Sequence, residues 1–187
     1  MMITNRFFQT AYIKVTGKMY DESMGNIKDE EVEKEIQRLE REELKKEINI
    51  IYDSLMKKIP YLIDKDITEE KIKAYKMKFD RAKEYKAGKT ENKKYFESEA
   101  EALGIDIDTL IDKIIYIGNL YQDNYNEMSL KLDSARVFLS NIYKLNLVEE
   151  YKKGLEWLKN VNKNSTIQEL MNITTNGKTI KEIQDEK

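Results

Sequence analysis

The sequence predicts a mainly α fold, a multi-helix bundle with one long central helix and a short amino-terminal β element. Three observations carry this. The chain of 187 residues is 36% charged and 40% apolar, with seven glycines and one proline. That is the composition of long amphipathic helices around a core. Apolar residues recur at the helical period over an unusually long stretch ending at Ile142. Near the amino terminus, Ala11, Ile13 and Val15 alternate with Tyr12, Lys14 and Thr16, the period of a half-buried strand.

Taken in order, the strand candidate covers residues 6–20, with Gly17 as a turn or bulge. A lone strand needs a partner, in this chain or another. Residues 27–59 read as one long helix. Val32, Ile36 and Leu39 form one stripe, and Leu44, Ile48, Ile51, Leu55 and Ile59 form a second, rotated by roughly a third of a turn. The segment around "EVEKEIQRLEREELKKE" is dense in Glu–Lys/Arg pairs and suits an exposed arm. Pro60 is expected to stop this helix. Thr68 is placed to cap the next, which carries Ile72, Tyr75, Phe79 and Ala82 and stops at Gly88.

A third helix is expected from about Thr90 to Leu103, with Phe96, Ala100 and Leu103 facing in and Gly104 as a left-handed cap. The central helix is expected from about Asp108 to Tyr143. Its inward stripe reads Leu110, Ile114, Ile117, Tyr121, Met128, Leu132, Ala135, Leu139 and Ile142. Asn146 and Glu149 have capping-box spacing for a helix burying Leu147, Tyr151, Leu155 and Leu158. Thr166 with Glu169 opens a short last helix. "ITTNGKTI" gives a second strand signal, with Asn176-Gly177 as a hairpin turn, and "KEIQDEK" is expected to fray. The predicted division is an arm of residues 1–60 and a helical body of 61–187.

Composition excludes several chemistries. With no histidine and no cysteine, there is no thiolate nucleophile, no serine–histidine triad and no ordinary zinc site. Net charge is −2 and the isoelectric point about 5.6, which disfavours a globally basic nucleic-acid or membrane-surface binder. No stretch reads as a signal peptide or membrane span, so the expectation is a soluble protein, cytoplasmic in a bacterial host or part of a phage particle.

The segment "SEAEALGIDIDTLIDKII" has the spacing of a DNA-binding helix-turn-helix: Ala100, Leu103, Gly104, Ile105 and Leu110. Its charges point the other way. Glu97, Glu99, Glu101, Asp106, Asp108 and Asp112 would face a duplex carrying one phosphate charge about every 1.7 Å. The simpler reading is a glycine-capped helix followed by an aspartate-capped one. The same aspartates sit where N-caps are wanted, so no metal site is assigned. Lys86, Lys89, Lys93 and Lys94 lie among Tyr85, Tyr95 and Phe96; a solvated turn beside core aromatics explains them better than a single-strand nucleic-acid surface. Tyr116, Tyr121, Tyr125 and Tyr143 suit a wet-edged packing surface on the long helix. Trp157 is expected in the core beside Leu155 and Leu158.

Apolar residues on an unpaired strand suggest addition to another chain, which makes Phe7, Phe8, Tyr12, Ile13, Val15 and Tyr20 the candidate protein-binding residues. The six acids from Glu97 to Asp112 form a second candidate surface, an acidic patch.

The stretch from Ile72 to Ile142, through "KAYKMKFDRAKEYKAG", "YFESEAEALGIDIDTLIDKII" and "LYQDNYNEMSLKLDSARVFLSNI", resembles small helical proteins encoded beside tail-fibre genes in prophages. The likeness covers under half of the chain and rests on a helix–turn–helix capping pattern. It implies a non-enzymatic accessory or assembly role with protein partners and assigns no catalytic residue. The expected function is a protein-binding factor, such as a tail or tail-fibre assembly chaperone, with no cofactor, no metal and room for a homo-oligomer. The alternative is an inhibitor of a host enzyme or nucleic-acid-guided defence complex, acting as an acidic nucleic-acid mimic.

Overall fold

The computed structural model describes residues 6–21 and 29–186. Among them are eight α-helices: α1 (Phe8–Thr16), α2 (Glu30–Ile63), α3 (Glu69–Lys86), α4 (Glu97–Leu103), α5 (Ile107–Lys144), α6 (Val148–Lys159), α7 (Ile167–Thr175) and α8 (Ile180–Asp185). A 3-10 turn (Thr90–Tyr95) precedes α4, and no strand occurs among the described residues. The fold is all-α.

The expected amino-terminal β element is therefore corrected to a helix. Phe8, Ala11, Tyr12 and Val15 fall on one helical face as readily as Ala11, Ile13 and Val15 fall on one strand face. A strand here would leave its ladder groups unpaired, whereas a helix satisfies its own. Gly17 takes φ 70° and its N–H returns to the Ile13 carbonyl, a left-handed stop. The second strand signal is also helical. Thr174 and Thr175 donate their hydroxyls to the Leu170 and Met171 carbonyls at 2.7 and 3.0 Å. Asn176 and Gly177, both with positive φ, then reverse the chain into α8. "KEIQDEK" does not fray at once: Thr179 and Glu182 form a reciprocal capping box that holds α8.

The chain separates into two compact units. Residues 1–53, 135–160 and 167–187 make the first, and residues 54–134 with 161–166 make the second. These limits do not coincide with a 1–60 arm and a 61–187 body.

In the first unit, Asp29 caps α2 by accepting the Glu31 and Val32 N–H groups. The first stripe of α2 meets α1: Phe8, Ala11, Tyr12 and Val32 are buried together, with Val15, Tyr20, Ile36 and Leu39 packed around them. Phe8, Tyr12 and Tyr20 form an aromatic triangle with centroids 5.1–6.0 Å apart. Glu35 joins α2 to α1 by an ion pair to Lys14 (2.9 Å) and also pairs with Arg38 one turn along its own helix (2.6 Å). Leu139, Ile142, Tyr151, Leu155, Leu158 and Leu170 are buried. Gly154 lets α6 approach so closely that a Cβ there would lie 2.1 Å from Leu139 Cδ2. Asn146 does not cap α6. It takes φ 62°, and Leu147 is the residue that precedes the helix, without a side-chain cap. Trp157 is half-buried rather than core.

In the second unit, α2 continues through Pro60 to Ile63. Proline forfeits one N–H, but its carbonyl still accepts from Asp64 at 2.9 Å. Ile59 is fully buried, as is most of Leu55, so burial outweighs the lost bond. Thr68 caps α3 through the Lys71 N–H, as its position predicts. Ala82, Phe96, Ala100, Leu110 and Ile111 form the core at the corner of α3, α4 and α5. Leu103 points out instead of in. So does Ile117: the residue facing α3 is Gly118, whose absent side chain admits the Phe79 ring.

Candidate functional site

The helix-turn-helix-like stretch is a structural corner. Gly104 has φ 64°, and the Gly104 and Ile105 N–H groups return to Glu101 and Ala100, closing α4. Asp106 opens α5 by accepting the Thr109 N–H at 2.8 Å and its hydroxyl at 2.6 Å. These bonds hold the Asp106 carboxyl below its ordinary range.

The six acids of the candidate patch are largely committed. Glu99 pairs with Lys78 at 2.5 Å, Asp112 with Lys86 at 2.8 Å, and Glu97 sits 3.9 Å from Lys93. Asp106 is the cap, which leaves Glu101 and Asp108 as the acids of the six that are exposed and outside an ion pair among the described residues. Two lysines of the basic–aromatic cluster, Lys86 and Lys93, are thus counter-charges of these acids. Lys89 pairs with Glu84, and Lys94 lies 5.2 Å from the Tyr95 ring, which Arg81 covers at 3.9 Å. Phe96 belongs to the core.

The amino-terminal candidates are mostly spent inside the first unit. Phe8 and Tyr12 are buried, and Val15 and Tyr20 pack against them. Phe7 is half-buried beside Arg6, 4.8 Å from its ring. Ile13 alone of the six is exposed.

An open cleft of about 810 Å³ lies in the first unit, between α2 and the start of α6. Four of its carboxylates are engaged in ion pairs: Glu42 with Arg38, Glu43 with Arg6, Glu47 with Lys159 and Glu149 with Lys152. Lys152 pushes the Glu149 carboxyl down, away from the range a general acid needs at neutral pH. Arg41 lies 5.3 Å over the Tyr143 ring, its Nε buried and unbonded. Most of the charge of the cleft is thus held in ion pairs. No group of three or more acids placed to hold a metal ion occurs among the described residues.

The most unusual surface is on α5 within the second unit. Tyr116 is 70% exposed, Ile117 64% and Leu120 49%. At about 100° per residue they share one outer face. Leu130, 68% exposed, lies further along α5, about 80° round the helix from Leu120. Sequence periodicity places Ile117 in the core stripe; the signal that should have moved it outward is Gly118, a helical glycine beside an apolar run. The face is flanked by Lys113 on one side and by Asp123 and Glu127 on the other, with no ion-pair partner for any of them among the described residues.

No family model, characterised protein or solved structure matches this chain. No helix among the described residues is long and apolar enough to cross a membrane.

Proposed function

We propose that the protein is a non-enzymatic, protein-binding accessory factor that works through the outer face of α5. The observation that carries this is the exposure of Tyr116, Ile117 and Leu120 side by side on one helix. Scattered apolar residues are normal on a surface, but a contiguous aromatic–aliphatic patch rimmed by charge has the composition of a docking site. The likeness of residues 72–142 to prophage tail-fibre-associated proteins supports assembly of a tail or tail fibre as the setting, because α5 forms the larger part of that stretch. The acidic-mimic reading draws less support, since three of its six acids are neutralised by lysines.

Affinity purification from the native host, or from a phage-infected one, tests the proposal. The wild-type chain should retain a protein partner that Ile117→Arg with Leu120→Glu loses, at unchanged helical content. Equal recovery by both would sink the assignment to this face.

A further inference from the structure

We infer that the α5 face is self-complementary and that its occupant is a second copy of this chain, paired antiparallel about Leu120. The inference rests on the reading of that face as a docking surface and names what covers it. Lys113 and Glu127 each lie seven residues from Leu120, on nearly the same side of the helix and about 10 Å away in opposite directions. A two-fold axis at Leu120 therefore sets Lys113 of each copy beside Glu127 of the other, twice over. Both residues are exposed, and neither has an ion-pair partner among the described residues. The same operation stacks Leu120 on its own copy and brings Tyr116 alongside Asp123 of the second copy, within reach of its phenolic O–H.

Charge also selects the register. Pairing about residue 125 would match Leu120 with Leu130, two exposed apolar residues. It would also oppose Asp123 to Glu127 at both ends of the dyad, a doubled like-charge contact. The register about Leu120 has no such conflict and leaves Leu130 outside the contact.

Sedimentation velocity on the purified full chain across a concentration series tests this. The wild type should dimerise, and Leu120→Glu should be monomeric throughout. Lys113→Glu and Glu127→Lys should each raise the dissociation constant about tenfold, because each replaces two exposed ion pairs by repulsions. The Lys113→Glu/Glu127→Lys double variant should recover the wild-type value, and Leu130→Glu should leave it unchanged. All four substituted positions are exposed, so the variants should fold, which circular dichroism checks. A monomeric wild type, a dimer indifferent to Leu120→Glu, or a double variant without recovery would overturn the inference. A dimer lost with Leu130→Glu would overturn it in favour of the other register. The two are distinguishable: a monomeric wild type that still loses its partner on Leu120→Glu retains the face as a docking site for another protein, and one that keeps its partner loses both.

Discussion

The Tyr151 hydroxyl donates to the main-chain carbonyl of Leu44 across 3.0 Å, joining α6 to α2 within the first unit. The two residues are 107 positions apart in the chain. The ring is 1% exposed and lies against Tyr143 with centroids 5.5 Å apart. Burial raises the phenol's pKa well above its ordinary value, so it remains a donor throughout the neutral and mildly alkaline range.

Tyr151→Phe should therefore destabilise the first unit by about 1 kcal/mol, the net worth of one neutral hydrogen bond. The Leu44 carbonyl sits within α2, so its loss is softened by the helix ladder. Urea denaturation read by the fluorescence of Trp157, the only tryptophan, would show a lower midpoint at unchanged slope. An unchanged midpoint would mean that the phenol is held by packing alone.

Gly154→Ala should be costly although alanine favours helices. The added Cβ would lie 2.1 Å from Leu139 Cδ2 and 3.3 Å from Thr174 Cγ2. Leu139 is fully buried and cannot swing into solvent. The overlap should exceed the helix-propensity gain of roughly 1 kcal/mol and leave a net loss of about 1–3 kcal/mol. A thermal midpoint at or above the wild-type value would show that Leu139 has a second rotamer available.

How far the sequence discloses this fold depends on the range of each signal. The corner at Gly104 and Asp106 is legible because both caps act within a few residues. The long α5 is legible because its apolar period persists over many turns, so one misplaced residue, Ile117, does not disturb it. Residues 8–16 are not, because Ala11 and Val15 satisfy both periods and only the docking of Val32 and Ile36 decides between them. Pro60 misleads for a related reason: its effect on the backbone is local, whereas the burial of Ile59 that overrides it is tertiary. The ion pairs that disperse the acidic patch are invisible too. Lys78–Glu99 and Lys86–Asp112 exist only once α3 lies against the corner of α4 and α5.

Glu35 should give the first unit a pH dependence, through Arg38 within α2 and Lys14 on α1. Hydrogen bonds from Arg38 and then Lys14 lower its carboxyl from 4.5 to about 2. A folded-state pKa below the unfolded one contributes stability that is complete above about pH 4.5 and is lost as pH falls toward 2. Glu35→Gln should therefore melt below the wild type at neutral pH, with the gap closing under acid. Circular dichroism melts from neutral pH to about pH 2 would read this directly. A gap independent of pH would assign the contact to hydrogen bonding rather than charge.

Gly118 and Phe79 form the equivalent close approach in the second unit, and there the outcome should be milder. A Cβ at residue 118 would fall 2.1 Å from Phe79 Cδ2. Phe79, unlike Leu139, is only half-buried and can turn toward solvent at the cost of part of its packing. Gly118→Ala should destabilise by roughly 1 kcal/mol, less than Gly154→Ala, once the propensity gain is set against the displaced ring. In a Phe79→Ala background the same substitution has nothing to displace, so it should become stabilising by up to about 1 kcal/mol. A double-mutant cycle measured by urea denaturation checks the change of sign. Additive effects of the two substitutions would mean that the ring and the glycine do not meet.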